Sequence, residues 1–472
     1  MATLYCGGHT GESSSVLPQQ ARPKFYQELE QLEFIAAQPV YANDKLSAKL
    51  DDIYARVANA NFSSYEIADL AKAAPELMYR LFDVRMVLRS GADTWRESGF
   101  MTAQMAAKLR DCLRILRYVT DMLGEISTHN LKPPSPNAPV RRAFTGAERS
   151  TLVNWKFYTG RELAFRSGDV VLMRGHMHNS AAIARIGDVD SQFSHIGIIY
   201  IDDNGQHFMV ESLIEDGAVI NPLAHTFEHG IVRAVLYRHR DPRLAARAAR
   251  LIHDHVAQAR RPILYDFSMN LEGGRHLFCS KLVCLAYKMA SEGKLKLPTY
   301  PTHIVMKNRD FLNRIGVVAV ETCAPADIDV EPHFDLVAEW QDYRETSNIR
   351  LQDFTMDKLF QWMEADGYVF EETALVRLVS IFGRFAAHLS NGAKELIAST
   401  IPKVPINMPR KTVAAVAMLH KTAEPIFHEL QALERASVAK NGRPLIGVEI
   451  YEALEAIRAR SGGRIGYLVR PG

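Results

Sequence analysis

Ser194-His195-Ile196-Gly197-Ile198-Ile199-Tyr200 sets a histidine at the head of a β-branched, apolar run. Such a run predicts a strand. The turn sequence Asp202-Asp203-Asn204-Gly205-Gln206 follows, and then a second run, Phe208-Met209-Val210-Glu211-Ser212-Leu213, which carries a glutamate sixteen residues after the histidine. Farther along, Phe278-Cys279-Ser280-Lys281-Leu282-Val283 opens a helical pattern over Cys279–Ala290, with a cysteine in its first turn.

These residue types suit nucleophilic chemistry. A cysteine attacks as its thiolate, and a helix N-terminus, with unpaired N–H groups and partial positive charge, favours the anion. An imidazole can take the thiol proton and return it to a leaving group, and a carboxylate on its far nitrogen fixes the tautomer. The N–H of Cys279 is itself a candidate oxyanion donor, since first-turn N–H groups lack a partner inside the helix. Taken singly, each residue also has a plainer role. Cys279 shares a helix with Leu282, Val283 and Ala286 and can be a small core residue; His195 can be structural; Glu211 can face solvent.

Outward from these segments, the chain changes texture twice. Residues 24–128 read as about four helices, with Phe25, Leu29, Leu32 and Ile35, and then Leu46, Leu50, Ile53 and Val57, at three- and four-residue spacing. Prolines at 133, 134, 136 and 139 mark a stiff linker. From about Phe165 to Thr322, short runs at Asp169–Met173, His195–Ile201, Phe208–Leu213, Ile231–Tyr237 and Val317–Thr322 predict strands, and Pro242–Arg260 and Cys279–Ala290 predict helices. Beyond Phe334 the pattern is helical again, over Leu351–Ala365, Glu371–Leu389, Thr412–Ala436 and Val448–Arg458, with a break at Pro402, Pro405 and Pro409. The expected organisation is an N-terminal helical module (1–130), a Pro-rich linker (131–150), an α+β domain (151–330) with an antiparallel sheet, and a C-terminal helical module (331–472).

Four segments in order resemble the permuted papain-like amidases of the YaeF/YiiX type, relatives of the NlpC-like cysteine hydrolases. They are Ser167-Gly168-Asp169-Val170-Val171-Leu172, Phe193-Ser194-His195-Ile196-Gly197-Ile198 with Val210-Glu211-Ser212, Tyr265-Asp266-Phe267, and Phe278-Cys279-Ser280-Lys281-Leu282-Val283-Cys284-Leu285-Ala286-Tyr287. The resemblance covers about a third of the chain, and the order His, Glu, Cys is that of a circularly permuted papain. It implies a papain-like core between all-α modules, with Cys279 as nucleophile, His195 as general base, Glu211 as orienting residue and Tyr265 supporting the oxyanion site. The implied activity is cleavage of a peptide, isopeptide or N-acyl amide through a thioester. An acyltransferase or lipid acyl hydrolase using the same thioester is the alternative, as in the lecithin:retinol acyltransferase group. A core that only binds is a third reading.

Lys281 departs from the family, where many relatives have an acid. A solvated lysine is expected there, with a lowered thiol pKa or an anionic substrate as alternatives. An Asn-Gly hairpin favours a two-residue type I′ loop, which pairs Ile198 with Glu211 and turns the glutamate away from His195. The triad requires an odd loop or a bulge, and the family pattern favours the odd register. Cys284 lies five positions past Cys279, off its face, which argues against a redox pair. His176-Met177-His178 and His253-Asp254-His255 lack metal-motif spacing. Arg243, Arg247 and Arg250 read as a solvated helix face. No Walker-type loop is present.

With 56 Lys+Arg against 54 Asp+Glu, the net charge of +2 gives no general pull toward nucleic acid. Five cysteines are too few for a disulfide framework, and free thiols are expected. No apolar run approaches the ~18 residues of a membrane span, and Met1–Gln20 has no signal-like region, so a cytoplasmic protein is expected, with signal-independent export as the other route. No cofactor or metal is expected. The partner is a peptide- or acyl-containing substrate, and the helical modules are the candidate surface for a protein partner.

Overall fold

The computed structural model describes residues 23–130, 151–157, 163–228, 230–306, 309–372 and 405–470. The predicted linker 131–150, Met1–Gln20 with Cys6, Pro402 and most of the predicted Glu371–Leu389 helix lie outside these residues.

Helices α1 (Lys24–Ala37), α2 (Asn43–Ala58), α3 (Ile67–Glu97) and α4 (Ala103–Asn130) come first. Each buries one stripe at helical spacing, as Leu46, Leu50, Ile53 and Val57 do on α2. Next come β1 (Thr151–Val153), β2 (Val170–Gly175), α5 (His178–Ile183), β3 (His195–Ile201), β4 (His207–Leu213), β5 (Gly217–Pro222), α6 (Leu223–Glu228), β6 (Ile231–His239), α7 (Pro242–Ala257) and α8 (Cys279–Ala290). A ribbon of β7 (Thr302–His303) and β8 (Glu321–Thr322) encloses α9 (Arg309–Ile315), and β9 (Phe334–Gln341) follows. The chain continues with α10 (Thr346–Ala365), β10 (Val369–Phe370), α11 (Arg410–Asn441), α12 (Gly447–Arg460), β11 (Arg464–Ile465) and β12 (Leu468–Val469).

Seven strands form one sheet in the order β1-β9-β6-β2-β3-β4-β5, antiparallel at every pairing. The fold class is α+β. One face of the sheet, through Ile196, Ile198, Val210 and Val235, packs under Ala248 and Ile252 of α7 and Leu282, Val283 and Ala286 of α8. On the other face Val171, Met173, Ile199 and Met209 meet Leu223 and Phe227 of α6. Gly168, with φ +91°, enters β2 so close to α7 that a Cβ would stand 2.3 Å from the Ala245 carbonyl oxygen. Its own carbonyl accepts a 2.7 Å bond from Tyr287 Oη of α8.

The sheet corrects the sequence pattern in three places. The predicted Val317–Thr322 strand reduces to Glu321–Thr322, and β1 and β5 form where no strand is predicted. The stretch just past Phe334, expected in the helical part, is the strand Phe334–Gln341 between β1 and β6, and the helix expected over Leu351–Ala365 runs from Thr346 to Ala365. Its polar members, Glu339 and Gln341, are wholly buried. They face protein rather than water, so the strand lacks the alternation that marks a half-exposed one.

Glu339 belongs to a layer of buried charge pairs. Arg85 of α3 and Arg117 of α4 both donate to it, and Arg117 makes a two-pronged contact with Asp329 (2.5 and 2.7 Å). Arg233 of β6 pairs with Asp121 of α4. Arg350 of α10 joins Glu125 of α4 (2.6 Å) to Glu434 of α11 (2.9 Å), and Arg174 of β2 pairs with Asp353 of α10 at 2.7 Å. All these side chains are buried. Burial pushes Glu125 up to about 7 and Asp121 up to about 6 despite their arginines.

Removing one partner from such a pair leaves an uncompensated buried charge. Glu339→Ala, which strands two guanidiniums, is expected to lower unfolding free energy by about 3–5 kcal/mol. The check is a urea midpoint shift at constant slope, and a loss under about 1 kcal/mol would place this layer outside the folding core. Residues 151–341 alone are expected to show no cooperative transition in near-UV circular dichroism.

Candidate active site

The β3–β4 hairpin pairs Gly197 with Glu211, Ile198 with Val210 and Ile201 with His207. The loop is thus Asp202–Gln206, an odd number of residues, in place of a two-residue Asn-Gly turn. Asp202 widens it: its Oδ1 accepts the N–H groups of Asn204 (3.0 Å) and Gln206 (2.7 Å), while Gly205 supplies φ +76°. In this register Glu211 lies on the same face of the sheet as His195.

His195 Nε2 donates to Glu211 Oε2 at 2.7 Å. The other carboxylate oxygen accepts from Asn221 Nδ2 of β5 (3.1 Å) and Thr226 Oγ1 of α6 (3.2 Å). Burial would raise the Glu211 carboxyl, but its bonds to His195, Asn221 and Thr226 hold it below the usual range. The acid is therefore an ionised acceptor. It fixes the proton on Nε2 and leaves Nδ1 for a second partner.

The titratable group coupled to that imidazole, besides Glu211, is the Cys279 thiol. Cys279 is the first residue of α8, after an extended Phe278 with φ −94° and ψ 169°. Ser212, on the sheet face opposite Glu211, donates to the Leu277 carbonyl at 2.6 Å and ties the approach of α8 to β4. Because His195 opens β3, its ring sits at the sheet's end, where the start of α8 arrives, and the imidazole and the Cys279 thiol shift each other's ionisation. Burial drives the thiol upward, but the hydrogen bond and charge of His195, with help from Ser280, outweigh it and bring the thiol below its ordinary range. Burial likewise opposes the imidazolium, which Cys279 and Glu211 nevertheless raise to about 10. The two shifts run in the direction of a thiolate–imidazolium pair.

Tyr265 is buried, and its hydroxyl is electrostatically coupled to the same thiol. Burial and the charges of Cys279, Glu215 and Asp266 hold it far above a phenol's usual range, so it remains an O–H donor. Its backbone carbonyl accepts a 2.7 Å bond from Asn407 Nδ2, which precedes α11.

Lys281 corrects the expectation of a solvated side chain. Only 3% exposed, it donates to Asp266 Oδ2 at 2.8 Å and to the Glu272 carbonyl at 2.7 Å. Its charge is taken up by a carboxylate of the adjoining loop. Arg247 pairs at the surface with Glu292. Cys284 lies beside Cys323, away from Cys279. No cluster of three or more His, Cys, Asp or Glu among the described residues is placed to hold a metal ion.

Asn221, Thr226 and Asn407 are not singled out by the sequence pattern, and Asp266 enters it only within Tyr265-Asp266-Phe267, with no role of its own. Each is a lone polar residue whose partner lies on another element, and no local spacing marks such a pair. The signal closest to hand was the neighbour relation of Asp266 to Tyr265.

Residues 164–338 match the YaeF/YiiX family of permuted papain-like amidases, the C92 family. The matched span starts just ahead of β2, ends within β9, and contains His195, Glu211, Tyr265 and Cys279. No curated protein and no solved structure matches the chain. The matched span lies on the α+β part of the fold and is similar to the permuted papain-like C92 family, and α1–α4 and α10–α12 lie outside the match. No helix among the described residues is long and apolar enough to cross a membrane.

Iodoacetamide is expected to alkylate Cys279 with a midpoint below that of an ordinary thiol, while Cys112, pushed up to about 12 by burial, stays inert. In His195→Ala only the Ser280 contacts still oppose burial, so the Cys279 midpoint should rise and the neutral-pH rate should fall by at least about tenfold. Peptide mass spectrometry across pH reads both, and an unmoved midpoint would show that the imidazole is not what lowers the thiol.

Proposed function

We propose that this protein is a cysteine amidase in which Cys279, His195 and Glu211 act as a triad and Tyr265 with the Cys279 N–H binds the oxyanion. The observation that carries the reading is an imidazole that is hydrogen-bonded to a buried carboxylate, itself held on its far side by Asn221 and Thr226, and that lowers the helix-start thiol of Cys279. A structural cysteine needs none of this, and the family match points to the same chemistry.

In the first half-reaction the thiolate forms a C–S bond to the amide carbonyl carbon, and the π pair moves to oxygen. The Tyr265 O–H and first-turn N–H of α8 meet that charge. Collapse breaks the C–N bond, and His195 Nδ1–H protonates the departing amine, leaving an acyl thioester on Cys279. Neutral His195 then deprotonates a water that attacks the thioester. The acid leaves, and the thiolate–imidazolium pair is restored. Glu211 stays ionised throughout, offsetting the imidazolium charge. With an amine or alcohol in place of water, the same thioester would support acyl transfer.

p-Nitrophenyl acetate and a panel of N-acyl aminocoumarin amides test this reading. Acetylation of Cys279 should appear in intact-mass spectra, and Cys279→Ala should lower turnover by about 10⁴-fold or more. Tyr265→Phe should lower acylation by about 10²-fold with little change in substrate affinity. Turnover that survives Cys279→Ala would remove the proposal.

A further inference from the structure

Lys281 takes no part in the chemistry proposed above, yet it is among the most unusual residues of the site. A lysine is almost never fully buried without a partner, and an ammonium in the first turn of a helix runs against the helix dipole. Its position is explained by what it holds. Asp266, which accepts its 2.8 Å bond, directly follows Tyr265, and the Glu272 carbonyl, which accepts the 2.7 Å bond, lies farther along the same loop. Asp266 Oδ1 also accepts from the N–H (3.0 Å) and hydroxyl (2.5 Å) of Ser268. On the other side of Tyr265, Leu277 N donates to the Leu264 carbonyl at 3.1 Å, and Leu277 O accepts from Asp266 N at 3.4 Å. The residues flanking Tyr265 are thereby bound to the segment that leads into Cys279 and to the first turn of the cysteine's own helix. Tyr265 moves only if one of these contacts gives way.

We infer that Lys281, through its buried pair with Asp266, is a positioning residue that sets the Tyr265 hydroxyl where the oxyanion forms. The pair couples the loop bearing the donor to the helix bearing the nucleophile. This inference rests on the reading of Tyr265 as oxyanion donor. It excludes a direct action of the lysine charge on the thiol, since that charge is directed at Asp266.

Two reagents separate these roles. Acylation by p-nitrophenyl acetate passes through an oxyanion, whereas alkylation by iodoacetamide attacks an sp³ carbon and needs only the thiolate. Lys281→Met should slow the p-nitrophenolate burst by about 10–100-fold, with the alkylation rate and its pH midpoint unchanged. In a Tyr265→Phe background the same substitution should cost less than about threefold, because the group it positions is gone. The Lys281→Met/Asp266→Asn double variant removes both charges, guards against misfolding from a stranded carboxylate, and should show the same selective loss.

A Lys281→Met burst equal to wild type, a loss that persists in full in the Tyr265→Phe background, or a raised alkylation midpoint would each overturn the inference. If Tyr265→Phe itself leaves the burst unchanged, the oxyanion reading of Tyr265 fails, and this inference with it. If Tyr265→Phe is slow and Lys281→Met is not, only this inference fails.

Discussion

Glu211 stands directly across the hairpin from Gly197, and it reaches His195, the next residue on that face, along the diagonal. The glycine matters, because a Cβ at 197 would lie 2.4 Å from Met209 Sδ and 3.3 Å from the Glu211 Cβ. With that space open, the carboxylate meets the imidazole on one side and Asn221 and Thr226 on the other. The tautomer of His195 follows from this contact, then the lowered thiol of Cys279, and with it the reactivity proposed for the site. A slip of one residue in the β3–β4 register would turn Glu211 to the opposite face and break every later link.

Around the site, charge is used in the protein interior to hold elements together. The arginines of α3, α4, β2, β6 and α10 meet carboxylates from other elements, so α3, α4 and α10, outside the family match, are bonded to the sheet by directional pairs as well as by apolar packing. Such pairs add little net stability compared with an apolar interface, but they penalise any arrangement that separates the partners. Lys281 and Asp266 repeat the device on a smaller scale, within about one loop of the thiol.

Much of the site was legible before any tertiary information. His195 heads a β-branched run, Cys279 starts an apolar helix, and Gly168 enters β2 in a left-handed conformation that its residue type allows; each signal sits within a few positions. The α8 bounds follow the apolar periodicity from Cys279 to Ala290. What the local pattern missed has a common cause. In β9, Glu339 is buried against Arg85 and Arg117, more than two hundred residues earlier in the chain, so polarity there does not mark exposure. Lys281 looks like a surface residue for the same reason: its partner Asp266 comes from another segment.

By itself the sequence determined the α+β class, the order His-Glu-Cys, and the placing of a cysteine at a helix start, because periodicity and residue type act over one or two turns of chain. Only the tertiary structure decided that Glu211 faces His195, that Lys281 is buried, and that α3, α4 and α10, outside the family match, are joined to the sheet through charge pairs. Those outcomes depend on a loop's residue count, on Asp202 capturing two backbone N–H groups, and on carboxylates and cations brought together from distant parts of the chain.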